Sequence, residues 1–180
     1  MVRKNQSLRR VPAALLLSGA LVLAGCSDDG GSDDPTPTAT PKKATDEEKL
    51  ADLALDFWAV RTSSQNAGND DPAQFAGITS PRMTEVEVSR LKRYEKLGVK
   101  RMGKPEVTEV EATAGGTEGF AVMCLNEDGW GVKVEGDPDF KQPDNGTVAF
   151  GFAAEKDDDG RWLVTETLSE KDKRVRAKKC

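Results

Sequence analysis

The chain predicts an α+β domain: two N-terminal helices packed on one face of an antiparallel sheet, preceded by an export leader and a disordered tether. Three observations predict it. Between residues 45 and 97 apolar side chains recur every three to four positions, the period of a helix facing a core. From residue 107 to 167 the period changes to two, with turn residues between the runs. The helical part comes first and the strands follow in succession, which is the order of an α+β layout with helices on one sheet face.

Residues 1–25 place Arg3, Lys4, Arg9 and Arg10 ahead of an apolar run from about Val11 to Gly25. Pro12, Ser18 and Gly19 interrupt that run, and it is shorter than the roughly 20 apolar residues that span a bilayer. A basic head, a short apolar middle and small residues at the end read as a signal peptide, removed before folding. A buried core helix fits poorly, because four uncompensated cations cap one end. Arg9-Arg10 hints at twin-arginine export, but the surrounding SLRRVP matches that pattern poorly.

The last residues of the leader refine this. Leu23-Ala24-Gly25-Cys26 resembles the lipobox of bacterial lipoproteins: Leu, a small residue, Gly or Ala, then Cys. The resemblance implies that the Cys26 sulfur receives a diacylglyceryl group and that cleavage makes Cys26 the new N-terminus. It also implies that the partner is the cell membrane, on its outer face. Each buried methylene contributes about 0.8 kcal/mol, so one acyl chain holds marginally and two anchor stably. An ordinary secretory signal with an incidental cysteine is the other reading.

The chain has 180 residues with 26 basic and 31 acidic side chains; loss of the leader removes four basic residues and leaves a net charge of −9. An acidic body of this size reads as one domain and argues against nucleic acid, which needs a basic footprint. Histidine is absent, which excludes imidazole-dependent nucleophilic catalysis and nearly all zinc chemistry. No metal or cofactor is expected. With Cys26 acylated, Cys124 and Cys180 remain, an even number for an oxidising compartment, and we expect them to pair. The alternative is two free thiols, with Cys124 buried as a small apolar residue.

Residues 26–44 hold the acylated cysteine and a segment with no bulky apolar side chain, SDDGGSDDPTPTATPKKA, which reads as a disordered tether reaching up to about 60 Å. The domain then occupies 45–180. Thr45 and Glu48 form a capping box; Leu50, Leu53, Ala54, Phe57, Trp58 and Arg61 follow at helical spacing, with Asp52, Asp56 and Arg61 toward the edges of the stripe. This helix is expected to end before Asn66-Ala67-Gly68. Ser80-Pro81 caps a second helix carrying Met83, Val86, Leu91, Tyr94 and Leu97, stopped by Gly98. Five strands are expected at 107–112, 119–125, 131–135, 148–154 and 162–167, joined as a meander and followed by a charged C-terminal tail.

Two helices followed by a curved antiparallel sheet resemble the nuclear transport factor 2-like cone found in actinobacterial lipoproteins. The stretches EGFAVMCLNEDG and FAAEKDDDGRWLVTE are similar to the late strands of those secreted members. The resemblance covers residues 45–168. It implies a cone-like fold, and it allows for isomerase or dehydratase chemistry by an Asp with a His or Tyr inside the cone; this chain has no His to supply.

The acidic turns NEDG, DPDF and DDDG lack the spacing of a calcium loop and read as hairpin turns. Arg82, Arg90, Lys92, Arg93, Lys96, Lys100, Arg101 and Lys104 make the second helix and its exit basic. They form either a solvated face or a contact for anionic headgroups. Trp58, Tyr94, Trp130 and Trp162 are the candidate ligand-face residues; the plainer role is core packing. Asn145-Gly146-Thr147 reads as a tight turn. The leading expectation is a membrane-anchored extracytoplasmic lipoprotein serving as a non-enzymatic binding or interaction module of the cell envelope. The alternative is a carrier of a small apolar ligand or lipid, or a cone-fold isomerase or dehydratase. A two-lobed solute receptor would need a much longer chain.

Overall fold

The structure, a computed structural model, describes residues 43–137 and 146–180. The leader, Cys26, the tether as far as residue 42, and residues 138–145 with Asn145 lie outside the described residues.

Helix α1 spans Asp46–Ala67. The Thr45 amide donates to Glu48 Oε2 (2.7 Å) and the Glu48 amide donates to Thr45 Oγ1 (3.2 Å), closing the capping box. Gly68, at φ 65°, ends the helix by donating its amide to Ser64 O. A 3-10 turn at Pro72–Phe75 buries Phe75. Helix α2 spans Pro81–Lys96, with Ser80 Oγ accepting from the Met83 amide.

Six strands follow: β1 Val99–Gly103, β2 Glu106–Gly115, β3 Glu118–Asn126, β4 Trp130–Val134, β5 Thr147–Lys156 and β6 Trp162–Leu168, then a short helix α3 at Lys173–Ala177. Two corrections to the sequence reading arise here. β1 was not expected, because VKRMG shows no clear alternation; it forms by pairing with β4 from Val99↔Val134 to Gly103↔Trp130. The expected single meander is therefore broken. β4 leaves it to join β1, and the main sheet runs β2-β3-β5-β6, antiparallel throughout.

The main sheet is curved, and its irregularities say why. Its register shifts between Thr108 and Glu111 on β2, where Glu109 sits at φ 48°, and again at Ala153/Ala154 opposite β6. Each extra residue bends and twists its strand. The concave face carries Ala121, Met123, Leu125, Phe152, Ala154, Trp162 and Val164 onto Leu50, Leu53, Ala54, Phe57 and Trp58 of α1. The result is the cone-like α+β layout that the family resemblance implied. At the start of β3 the strand approaches α1 so closely that a Cβ on Gly119 would lie 2.6 Å from Leu50 Cδ1.

The convex face is covered as well. Alternation along β3 turns Phe120, Val122 and Cys124 outward, and the C-terminal segment lies over them. Arg174 stacks on Phe120 at 5.1 Å, and Val175 is buried. Cys180 is disulfide-bonded to Cys124, with Cα atoms 5.5 Å apart. Lys178 reaches Glu111 (2.7 Å) and Glu109 (3.3 Å) on β2. The charged tail is thus a structured strap, because α3 gives it one apolar contact and the disulfide fixes its end.

Candidate functional site

The apolar stripe of α1 does not stop at Trp58. Its next two rungs, Arg61 and Gln65, point inward as well, and Arg61 is only 7 % exposed. That corrects the expectation that Arg61 flanks the stripe. On α2 the inward line is Met83, Glu87 and Leu91 at four-residue spacing, and Glu87 is 1 % exposed. The two helices bring opposite charges together between them: Arg61 Nε lies 3.4 Å from Glu87 Oε2, and Arg90 Nη2 lies 3.5 Å from Glu87 Oε1.

Aromatic rings surround this pair. The Arg61 guanidinium sits over Trp58 (4.9 Å), Phe150 (5.5 Å) and Phe57 (5.7 Å). Trp58 meets Phe150 edge-on at 4.9 Å and Trp130 at 5.7 Å. Arg101 of β1 stacks on Trp130 at 4.2 Å and donates to its carbonyl at 3.4 Å. The Trp130 indole donates to Asn66 Oδ1 (3.3 Å), and Asn66 Nδ2 donates to Gly103 O (2.5 Å), which ties the end of α1 to β1. The β1–β4 ribbon, which the sequence reading lacked, is therefore what closes this end of the interior.

Burial pushes the Glu87 carboxyl up to about 7, so it is close to half-protonated at neutral pH. Burial also lowers Arg90. Six buried atoms in this region have no hydrogen-bond partner among the described residues: Trp58 Nε1, Arg61 Nε and Nη1, Gln65 Oε1, Glu87 Oε1 and Arg101 Nε. Buried polar atoms are nearly always paired, and each left unpaired costs about 1–3 kcal/mol. Two of the six, Arg61 Nε and Glu87 Oε1, keep ion-pair contacts at 3.4 and 3.5 Å without a hydrogen bond, and the other four have neither among the described residues. Chemically it offers donors, ring faces and one carboxyl that holds or releases a proton near neutral pH.

Of the candidate ligand-face residues, Trp58 and Trp130 meet at this centre, both buried. Tyr94, half-buried on α2, is near enough to influence the Arg90 guanidinium. Trp162 lies elsewhere, at the amino end of α1. It donates to Asp46 (3.4 Å) and lies under Lys156 (4.8 Å). Lys156 and Lys49 also bind Asp46, at 2.7 and 2.9 Å, and hold its carboxyl well below the usual range. Cys124 and Cys180 sit on the opposite face of the sheet, and Cys26 lies outside the described residues. No group of three metal-ligating side chains occurs among the described residues.

Sequence reasoning missed Arg61 as an interior residue, together with Gln65, Glu87 and Arg101. A signal was present for three of them. Arg61 and Gln65 continue the 50–54–57–58 stripe, and Glu87 falls midway between Met83 and Leu91. Polar residues on an apolar line are the mark of a buried charge.

No protein-family model matches the chain, and no curated protein matches it. Among solved structures, the fold is similar to the intermembrane-space region of the chloroplast protein ARC6, at 12 % identity and a TM-score of 0.51 over 70 % of this chain and 97 % of that one. A Mycobacterium tuberculosis protein of unknown function aligns at 11 % identity and TM-score 0.41 over 72 % of this chain and 81 % of that one. A polyketide cyclase-like protein from Xanthomonas campestris aligns at 15 % identity and TM-score 0.39 over 73 % and 98 %. At such identities the likeness speaks for the fold alone.

Proposed function

We propose that the chain is a membrane-anchored extracytoplasmic lipoprotein whose single domain is a non-enzymatic binding module of the cell envelope. The observation that carries this is the Cys124–Cys180 disulfide. Structural disulfides persist in oxidising compartments, which is where the basic leader and the Leu23-Ala24-Gly25-Cys26 box would deliver the chain. The interior adds support: its arginines and tryptophans are arranged to hold a polar group, and its one buried carboxyl is already engaged by two cations. No helix among the described residues is long and apolar enough to cross a membrane, so on this reading Cys26 supplies the attachment.

A second reading, carriage of a small molecule inside the cone, is favoured by the unpaired atoms around Arg61 and Glu87. On that reading the ligand is a small apolar molecule or lipid whose polar head meets these groups. Metabolic labelling with radioactive palmitate tests the anchor: label in the wild type and none in Cys26→Ser is the expected result, and equal labelling of both overturns it. Native mass spectrometry of the isolated protein separates the two readings, since a retained small molecule favours carriage.

A further inference from the structure

About 120° around α2 from its buried line runs a second line. Arg82, Val86, Ser89, Arg93 and Leu97 are spaced four, three, four and four residues apart, so they form one stripe along the outer side of the helix. Val86 is 45 % and Leu97 60 % exposed, and Arg82 and Arg93 are exposed too. A shallow groove runs along this stripe, lined by Arg82, Glu85, Val86, Ser89, Arg90 and Arg93.

The basic residues of α2 divide into engaged and unengaged ones. Arg90 is turned toward Glu87, and Lys92 lies 3.9 Å from Asp70 on another side. Arg82, Arg93 and Lys96 make no ion pair among the described residues. Glu85 lines the same groove, and Glu155 and Glu166 line a neighbouring groove beside Arg82. Between the two guanidiniums lie about 16 Å of helix axis. Two exposed apolar side chains interleaved with unpaired cations make an interfacial pattern: the apolar groups enter the acyl boundary and the cations meet phosphate.

The position of the stripe agrees with such a role. Asp46, the first residue of α1 and the root of the tether, is bonded to Trp162 at the start of β6. Two residues along that strand, Val164 accepts from the Ser80 amide at the cap of α2 (2.9 Å). Asp46 and the amino end of α2 therefore both lie beside the first residues of β6.

We propose that the outer stripe of α2 seats the domain on an anionic phospholipid surface, orienting it relative to the membrane that Cys26 attaches to. This rests on the anchoring reading for its biological setting, but the contact is tested without the anchor. The mature chain as a whole is acidic, and the strap at 171–179 is the other cation-rich segment, so it is the face against which the stripe is tested.

The test is flotation of the unacylated full mature chain, carrying Cys26→Ser, with vesicles of phosphatidylcholine alone or mixed equally with phosphatidylglycerol. The expected result is binding to the anionic vesicles only, weakened by added salt. The double variant R82Q/R93Q is expected to bind about thirtyfold less. Both side chains are exposed and unpaired, so the variant folds, and circular dichroism checks it. V86S is expected to weaken binding while leaving the salt dependence intact. The proposal is overturned if the wild type does not prefer anionic vesicles, or if K171Q/K173Q in the strap weakens binding as much as R82Q/R93Q. It is also overturned if R82Q/R93Q leaves flotation unchanged while abolishing crosslinking to an envelope protein, which would make the stripe a protein face. Palmitate labelling is independent of all these outcomes, so a failure of the anchor and a failure of the stripe are distinguishable.

Discussion

Glu87 sets the pH response of the interior. Its proton is held more tightly in the folded chain, at about 7, than at the ordinary 4.5. Folding therefore gains from this group in full below about pH 4.5, and the gain is lost as pH rises through 7. Urea unfolding is expected to show the protein less stable at pH 8 than at pH 5, by a difference on the order of 1–3 kcal/mol. Glu87→Gln keeps the shape, cannot titrate, and is expected to flatten that slope whatever it does to absolute stability. A slope unchanged by the substitution removes Glu87 as its source. A second residue, Gly103, carries a different constraint. It sits at φ 81°, and a Cβ there would collide with the Gly129 carbonyl, whereas Gly116, at φ 71°, has nothing nearby. Left-handed backbone alone costs about 1–2 kcal/mol for alanine. Gly116→Ala is expected to lose about that much in urea midpoint analysis, and Gly103→Ala measurably more, because two backbones must move apart.

Among the elements, the C-terminal strap has the least secondary structure of its own and depends most on its cross-link. α3 has five residues, far too few to be helical in isolation. Asp172 caps it and pairs with Arg174 at 2.7 Å, which holds the Asp172 carboxyl down at about 2. The disulfide closes a loop with a sequence separation of 56, worth up to about 4 kcal/mol in the chain-entropy model. Replacing both cysteines, as Cys124→Ala with Cys180→Ala, is expected to lower thermal stability and to expose Phe120 and Val175 to solvent, seen as increased dye binding. Unchanged melting and dye binding would mean that Arg174, Val175 and Lys178 hold the strap unaided. At the other side of the molecule the β1–β4 ribbon depends on its neighbours in the same way, through Trp130, Asn66 and Arg101.

On the scale of the whole molecule, stability is graded. β3 has hydrogen-bonded strands on both sides, and Ala121, Val122, Met123, Cys124 and Leu125 are all buried. The β1–β4 ribbon is two-stranded, and Met102 and Val134 are exposed. Native-state hydrogen exchange is expected to find the β3 amides opening only with global unfolding, and those of β1 opening through local fluctuation at lower free energy. Equal protection in both would mean that the ribbon and the sheet unfold as one unit. The two-stranded ribbon lies beside the charge centre, through Arg101 on Trp130 and Trp130 against Trp58.

The sequence by itself determined what rests on local chemistry: the capping box of α1, the Ser80-Pro81 cap of α2 and the glycines after each helix, the change of hydrophobic period that marks β2, β3, β5 and β6, and the α+β class. Cys124 and Cys180 were legible as a pair by counting once the lipobox resemblance set Cys26 aside. What the tertiary structure decided is everything that depends on partners distant in the chain. Whether VKRMG becomes a strand depends on β4, thirty residues away, and whether the acidic and basic tail is loose or docked depends on the convex face of β3. The site itself belongs to this second kind. Arg61 and Glu87 interrupt apolar lines in the sequence, but only the packing of α1 against α2 removes them from water and makes the proton on Glu87 matter, and Arg101 joins them only because β1 pairs with β4.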